Sequence, residues 1–353
     1  MNSKIASFKE LDPDLVLKAT ETSGCQATGL MTQLNSYENR VFEVGIESSN
    51  PREKRVIKFY RPGRWSRECI LEEHSFLKEL QDNDIHVGFP LPLFPKQSEK
   101  GFAPAKPSTL LELEGLYYAV FPRVRGRLPD EFRLSELRTL GRILGRLHNI
   151  GAQKKFIHRP ILHEAPFSLW DNLDILSPLV SVELWPRYEA AAVALIDAYE
   201  DQIDPSSFQR IHGDFHRGNT LLFTDTSVDR GSDPNNSQLS DSFILVDFDD
   251  CCTGPVVQDF WMLLGSEDDP EEVNEILMGY EEFRAFPHEQ LEWIPLLRGA
   301  RILSYAAWIA RRWSDPSFLK LFPEFGSHRY WSIETEALER IVYSRSFDGS
   351  GSS

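Results

Sequence analysis

Hydrophobic and polar positions follow different periods in the two parts of the chain. In the N-terminal third, short runs alternate between apolar and polar residues, as in Arg40–Val44 (RVFEV) and Arg55–Tyr60 (RVIKFY), and predict strands. The segment that follows these two runs, Ser66–Leu80, has the apolar spacing of a helix. Leu110–Leu113 and Leu116–Pro122 flank a Glu-Gly turn and predict a hairpin. This part is therefore expected to be rich in strands, with one helix.

The segment Arg123–Phe132 interrupts this pattern, and helical spacing follows it. A helix is predicted to start with Ser135 as its N-cap and to stop at Gly151. A second helix is predicted near residues 183–202, and the chain from Asp269 onward is also expected to be helical.

Two short apolar runs inside this helical part predict a hairpin. They are TLLF after IHGDFHRGN and FILV before DFDD. The polar segment Thr224–Asp241 between them is predicted to be a long loop. The predicted fold class is α+β with two lobes: a small β-rich lobe over residues 1–122 and a larger, mostly α-helical lobe over 123–345. Residues 346–353 are predicted to be a disordered tail.

Composition and charge exclude some partners. The formal net charge of −16 disfavours binding to nucleic acid or to anionic membranes. The N-terminus has no secretory signal pattern, and no apolar run is long enough to cross a bilayer. The four cysteines contain no CxxC pair, which fits a reducing compartment. A cytoplasmic protein without nucleic-acid or membrane partners is expected.

The stretch IHGDFHRGN concentrates candidate chemistry at one end of the predicted hairpin. A zinc site is disfavoured because His212 and His216 lack the glutamate of an HExxH pattern and have no cysteine pair nearby. A serine hydrolase is disfavoured because no GxSxG turn is present. Phosphoryl transfer fits better, since it needs a hydrogen-bond acceptor for the attacking hydroxyl and oxygen ligands for Mg²⁺. Asp214 can serve as the acceptor, while Asn219 and Asp247 supply the oxygens.

HGDFHRGN followed by ILVDFDD resembles the aminoglycoside phosphotransferase and choline kinase branch of the protein-kinase-like superfamily. The segments LNSYENRVFEV, VIKFYRPGRW, ILEEH and FIHRP are similar to a group of bacterial stress response kinases within it, and the resemblance runs over nearly the whole chain. It implies a bilobal kinase-like fold. It also implies a cytoplasmic monomer that acts in envelope and oxidative stress responses.

The resemblance implies a role for each matching residue. Asp214 matches the catalytic aspartate that accepts the proton of the substrate hydroxyl. Asn219 matches the magnesium-binding asparagine, and Asp247 matches a second catalytic residue that also binds the metal, although Asp249 stands where the kinase DFG turn has glycine. Asp259 matches a buried aspartate that braces the catalytic loop.

The ATP site is expected to draw on three further positions. Lys58 matches the strand lysine that contacts the α- and β-phosphates, and Glu73 is its expected partner, with Glu72 as the alternative. Ser36 falls in the nucleotide-covering turn, which lacks the usual GxGxxG. Asn35, Ser36, Glu38 and Asn39 would then close over the phosphates.

The leading hypothesis is an ATP- and Mg²⁺-dependent phosphotransferase that acts on Ser and Thr hydroxyls of proteins. A kinase for a small alcohol such as choline, homoserine or an amino sugar remains an alternative, as does a pseudokinase that only binds nucleotide. Residues 290–313 carry several tryptophans and arginines, and they could line a substrate groove. A packed amphipathic helix with aromatic residues inside is the favoured interpretation of this segment.

Overall fold

The computed structural model describes residues 8, 11–50, 53–93, 107–165, 167–223, 242–264 and 269–348. The predicted loop Thr224–Asp241 lies outside these residues. Within them, an antiparallel sheet is followed by a helical part that contains two short strand pairs. The predicted α+β fold class is confirmed.

The sheet has five strands in the order β1-β2-β3-β5-β4. The strands are β1 (Ala27–Leu34), β2 (Arg40–Ile46), β3 (Lys54–Phe59), β4 (Leu111–Leu113) and β5 (Leu116–Pro122). Alternate residues such as Val44, Ile57 and Tyr118 are fully buried on one face of the sheet. Helix α1 (Pro13–Thr22) adds Val16 and Ala19 to the same cluster. This small core holds β3, and with it Lys58, in a fixed position.

Helix α2 (Arg67–Asp82) follows β3 and contributes to the core of the helical part. The ring of Phe76 meets the rings of Phe156 and Phe248 at centroid distances of 5.5 and 6.0 Å. The predicted lobe division after residue 122 places α2 in the first lobe. Its apolar face nevertheless packs with the second part, so α2 joins the two.

The helical part contains eight α-helices among the described residues. These are α3 (Leu134–Gly151), α4 (Leu169–Leu176), α5 (Trp185–Gln202), α6 (Val256–Trp261), α7 (Pro270–Glu281), α8 (Ile294–Arg311), α9 (Pro316–Leu321) and α10 (His328–Asp348). Strand β6 (Gln209–Ile211) pairs with β9 (Cys252–Gly254), and β7 (Thr220–Phe223) pairs with β8 (Ser242–Leu245), both antiparallel. The two strand pairs bring the residues before β7 next to the residues after β8.

Several predicted boundaries differ from the observed ones. Helix α3 begins at Leu134, so Ser135 lies in its first turn and is not the N-cap. The carboxylate of Glu136 instead accepts a hydrogen bond from the backbone N–H of Arg133 at 2.8 Å, which closes the helix start. Helix α10 continues through Asp348, so the first three residues of the predicted tail are helical, while 349–353 lie outside the described residues.

Among the helices that the structure describes, none is long and apolar enough to span a membrane.

Candidate active site

The loop of residues 212–219, called here the Asp214 loop, connects β6 to β7. Its backbone is held by Asp259 of α6, which is fully buried. The two carboxylate oxygens of Asp259 accept hydrogen bonds from the backbone N–H groups of His212 and Gly213, both at 2.8 Å. His148 of α3 lies 3.1 Å from the same carboxylate. Asp259 therefore occupies the bracing position that the family resemblance implies.

His212 stabilises the Asp214 loop from inside. It is fully buried, and its Nε2 lies 3.1 Å from the carbonyl oxygen of Val246, next to the end of β8. Its Nδ1 accepts a hydrogen bond from the backbone N–H of Asp214 at 3.3 Å. With both ring nitrogens engaged within the fold, this histidine has a structural role.

The Asp214 carboxylate sits among three polar side chains. Its Oδ1 lies 3.0 Å from Nη2 of Arg301 on α8, and its Oδ2 lies 3.3 Å from Nε2 of His216. Asn219 donates through Nδ2 to the backbone oxygen of Asp214 at 2.8 Å. Burial by itself raises the pKa of Asp214, but the His216 hydrogen bond and the Arg301 charge outweigh it and leave that pKa below its ordinary value. The carboxylate is therefore ionised at neutral pH and available as a hydrogen-bond acceptor.

Asn219 and Asp247 come together at the ends of β7 and β8. Thr220 pairs with Leu245, and the backbone N–H of Val246 donates to the carbonyl oxygen of Asn219 at 3.0 Å. Asp247 has left-handed backbone angles, with φ 58° and ψ 64°, and its side chain is 53% exposed. Since few non-glycine residues adopt this conformation, its presence here points to a functional position.

The chemistry of these two residues fits a divalent cation that is shared with phosphate groups. The Nδ2 of Asn219 is engaged with Asp214, so the amide oxygen is the atom that a cation would use. Among the described residues, no group of three or more His, Cys, Asp or Glu side chains could hold a metal alone. Mg²⁺ commonly relies on one or two protein ligands and completes its shell with phosphate oxygens and water.

Lys58 of β3 reaches the ends of β7 and β8 from the sheet. Its Nζ lies 3.2 Å from Oδ1 of Asp247, 3.3 Å from Oδ1 of Asp249 and 3.9 Å from Oε1 of Glu73. Burial by itself lowers the pKa of Lys58, but the three carboxylates outweigh it and raise that pKa well above its usual value. The amine is thus a fixed positive charge beside Asp247.

The two glutamates of α2 have different partners. Glu73 is buried between Lys58 and Arg159, and the closer ion pair is with Arg159. Glu72 accepts hydrogen bonds from three successive backbone N–H groups of residues 157–159, at 2.6 to 2.8 Å. Glu72 therefore fixes the FIHRP loop. Of the two predicted partners for Lys58, only Glu73 is placed near it.

The turn between β1 and β2 differs from the expected phosphate cover. Ser36 lies in this turn and is partly exposed. Glu38 faces inward, where its Oε2 lies 2.6 Å from both Nη2 of Arg312 and Nε1 of Trp308. Asn39 is buried and accepts a hydrogen bond from the backbone N–H of Arg61 at 3.0 Å. Glu38 and Asn39 thus anchor the turn, which leaves Ser36 as the better candidate to face a nucleotide.

Sequence reasoning missed three arginines at this site. Arg64 pairs with Asp249 and Asp250, Arg159 pairs with Glu73, and Arg301 pairs with Asp214. The first two belong to the RPGRW and FIHRP segments, whose similarity to one kinase group was a usable signal. For Arg301 the signal was its helical spacing with aromatic residues on α8, where a purely structural face was the favoured interpretation.

With this geometry established, comparison with known proteins defines the class. Residues 31–231 and 234–294 match the model of the phosphotransferase enzyme family (APH). The chain therefore belongs to this family and is a kinase-type phosphotransferase, as the resemblance in its motifs indicated.

Relatives with known names cover almost the whole chain. Stress response kinase A of Escherichia coli (strain K12) is 34% identical over 343 residues, which span 95% of this chain and 94% of the relative. The serine/threonine protein kinase RdoA of Salmonella typhimurium is 32% identical over 341 residues, spanning 95% of this chain and 94% of that protein. The predicted similarity to a stress response kinase group is confirmed.

Solved structures confirm the kinase-like fold. An amicoumacin kinase, hAmiN, in complex with AMP-PNP, Ca²⁺ and Ami, aligns with a TM-score of 0.68 at 18% identity and covers 95% of this chain and 94% of its own. A microcompartment-associated aminopropanol kinase aligns with a TM-score of 0.65 at 19% identity and covers 94% of this chain and 98% of its own. At these identities the likeness concerns the fold alone.

Proposed function

We propose that this protein transfers the γ-phosphoryl group of ATP, with Mg²⁺, to Ser or Thr hydroxyls of proteins. The observation that supports the chemistry best is the meeting of Lys58 with Asp247 at 3.2 Å, beside the Asp214 loop. These residues come from two separate parts of the chain, and their convergence assembles a phosphate-binding charge, metal ligands and a hydroxyl acceptor at one place.

The residues of the chain divide the work of transfer. Asp214 accepts the hydrogen bond of the acceptor hydroxyl, orients its oxygen toward the γ-phosphorus and receives its proton as the bond from oxygen to phosphorus forms. The bond between the γ-phosphorus and the bridging oxygen breaks, and ADP leaves. Lys58 exchanges its contacts with Asp247 and Asp249 for phosphate oxygens and offsets their charge. Positioning and fixed charges supply most of the acceleration.

Asn219 and Asp247 would hold the Mg²⁺ ion, which neutralises charge on the phosphates when it is bound. Arg159 keeps Glu73 in place, and through it Lys58, because the three side chains are buried next to one another. Arg64 has the same effect on Asp249. These ion pairs restrict the motion of the groups that meet the nucleotide.

The proposal that the acceptor is a protein is based on the named relatives. Proteins named stress response kinase A and serine/threonine protein kinase RdoA match the chain over nearly its full length. A small alcohol is the second candidate because the structural neighbours are named as an amicoumacin kinase and an aminopropanol kinase. The pairing of Asp214 with an arginine favours the first candidate, since it adds positive charge where a cationic small acceptor would bind.

The proposal is tested by transfer of γ-labelled phosphate from ATP and Mg²⁺ to a generic protein acceptor. Asp214→Asn keeps the size of the side chain but removes the charged acceptor, so we expect at least about a thousandfold loss of transfer. Asp174→Asn, an exposed position on α4, is the matched control and should retain full activity.

Label on Ser or Thr in the native protein and the control, and its absence in Asp214→Asn, would support a protein kinase. Label that forms only on added small alcohols would favour the second candidate. Nucleotide binding without transfer to any acceptor would show that the chain is a pseudokinase.

A further inference from the structure

Arg301 brings a guanidinium group to the place where the acceptor hydroxyl has to bind. It lies on α8 with Tyr305 and Trp308, at spacings of four and three residues that place all three on one face. Its Nη2 is 3.0 Å from Oδ1 of Asp214, and its side chain is 40% exposed. The Tyr305 ring stacks on Trp308 at a centroid distance of 5.5 Å and is itself 45% exposed. This face of α8 therefore combines a cation with an aromatic surface that solvent can reach.

Among the groups around Arg301, Asp214 supplies the negative charge that pairs with its guanidinium. His163 lies near it, and burial together with the Arg301 charge lowers the pKa of His163 to about 4, so that histidine is neutral at pH 7. The Oγ of Ser304 lies 3.3 Å from Nδ1 of His163 and fixes the ring. In the described part of the chain, Asp214 is the carboxylate with which Arg301 forms an ion pair.

Binding of the acceptor changes this pairing. The acceptor hydroxyl needs one oxygen of the Asp214 carboxylate, and the Oδ2 atom already faces His216 at 3.3 Å. Oδ1 contacts Arg301, so a hydroxyl that binds there has to share this oxygen with the guanidinium. Sharing of Oδ1 weakens the ion pair, so the guanidinium needs a second anion within a few ångströms. A carboxylate on the acceptor itself satisfies this need, because Arg binds carboxylates through two parallel N–H bonds.

We propose that Arg301 selects acceptors that carry a carboxylate beside the hydroxyl, as in a peptide in which Ser or Thr is flanked by Asp or Glu. The inference rests on the proposed function, since it assumes a protein acceptor. An acceptor with an ammonium group beside its hydroxyl would meet the like charge of Arg301 and bind poorly. The aromatic surface of Tyr305 and Trp308 is then available to the next residues of the peptide.

The test compares two peptides that differ only in the residues flanking one Ser, with Asp on both sides in one and Lys on both sides in the other. The ratio of their kcat/KM values is measured for the native protein and for Arg301→Gln, Arg301→Glu and Arg301→Lys. We expect the native protein to prefer the acidic peptide by roughly tenfold or more. Arg301→Gln should abolish the preference, and Arg301→Glu should reverse it. Arg301→Lys keeps the charge but not the two parallel N–H bonds, so it should keep only part of the preference. The KM for ATP should stay within about twofold in all variants, since Arg301 acts on the acceptor side.

Each outcome decides one question. Equal ratios in the native protein and in Arg301→Gln would overturn the proposal, even if kcat fell in the variant, because Arg301 would then only orient Asp214. If the native protein labels neither peptide but phosphorylates a small alcohol, the proposed protein acceptor fails and the inference fails with it. Label on both peptides without any preference overturns the inference alone and leaves the proposed function intact.

Discussion

Gly213 shows how one backbone position shapes the Asp214 loop. It has φ +83°, a conformation that L side chains rarely adopt, and a Cβ atom at this position would lie 2.2 Å from the carbonyl oxygen of Asp250. The close approach brings the Asp214 loop against the segment after β8, which contains Asp247. This contact gives the physical reason for a glycine at position 213.

Gly213→Ala should be far more harmful than alanine at another glycine with positive φ. Gly24 has φ +91° and nothing within 4 Å of a Cβ atom, so Gly24→Ala adds only backbone strain of about 1–2 kcal/mol. Gly213→Ala adds a clash with backbone that has to move, and we expect a loss of at least about 3 kcal/mol in the free energy of unfolding. Urea denaturation of both variants measures the difference. Equal losses would show that the contact with Asp250 is not limiting.

At the scale of residues, local spacing was sufficient for one part of the site. Asp214 and Asn219 are five positions apart in one loop, so their relation could be read from a short motif. Arg301 lies 87 positions beyond Asp214, and Arg159 lies 86 positions beyond Glu73. Contacts at such separations depend on how helices pack, and no local pattern encodes them.

At the scale of elements, the packing of helix α10 affects an ionisable side chain. It packs against α5, where the Trp331 ring meets Tyr188 at a centroid distance of 5.7 Å. Glu334 lies one turn from Tyr330 in the same region, and its Oε2 has no hydrogen-bond partner in the described part of the chain. Burial raises the pKa of Glu334 to about 7. The helix therefore contains a carboxyl group that is costly to ionise.

This carboxyl group predicts a pH dependence of stability. The folded state holds its proton up to a pH of about 7, whereas the unfolded state releases it near the ordinary glutamate pKa of 4.5. This contribution to stability is therefore lost as the pH rises between the two. Glu334→Gln removes the ionisation. Relative to the native protein, it should gain about 1–3 kcal/mol of unfolding free energy when the pH is raised from 5 to 8. Urea denaturation at both pH values measures the gain.

Glu336→Gln is the matched control, because Glu336 lies on the same helix and is exposed. Its pH dependence should follow that of the native protein. A parallel response of the two variants would contradict the assignment of a raised pKa to Glu334.

At the scale of elements, the periodicity of the sequence located most helices and strands but missed the first ones, α1 and β1. It also missed the short elements α4, α6, β6 and β9. Helix α1 starts with Asp12 as its N-cap, whose side chain accepts from the backbone N–H of Leu15, and with Pro13 at the first position. Both are ordinary start signals. Strand β1 is different, because only two of its eight positions are partly buried and the rest are exposed. It lacks the alternation by which a half-buried strand is found.

The whole molecule is joined across its two parts by charged side chains. Glu38, in the turn after β1, contacts Trp308 and Arg312 of the α8 region. Lys58 and Arg64 pair with Asp249, which lies in the segment after β8. The fold class followed from strand and helix patterns together with the resemblance to kinases. The docking of the sheet onto the helical part did not follow from these patterns. It depends on pairs of charges that are distant in sequence and that come together only in the folded chain.

Glu38 is the residue with which the importance of this docking can be measured. Its carboxylate is 12% exposed and lies close to Arg61 and Arg312, at 2.9 and 2.6 Å. Glu38→Gln keeps the shape of the side chain but removes the carboxylate that pairs with Arg312, and it leaves Arg61 with Asp315 at 3.6 Å. We expect a loss of about 2–4 kcal/mol in the free energy of unfolding, since removal of one partner from a buried ion pair leaves an uncompensated charge. Urea denaturation followed by circular dichroism measures the loss.

The control for this prediction is Glu114→Gln, which breaks an ion pair of 2.9 Å with Lys18 whose side chains are 60% and 57% exposed. Solvent already screens that pair, so its loss should change stability very little. If Glu38→Gln behaves like the control, the charges between the sheet and α8 do not stabilise the arrangement of the two parts. Packing of α2 into the helical core would then be the main connection between them. A large loss confined to Glu38→Gln would instead show that the turn carrying Ser36 is held to α8 by its ion pairs.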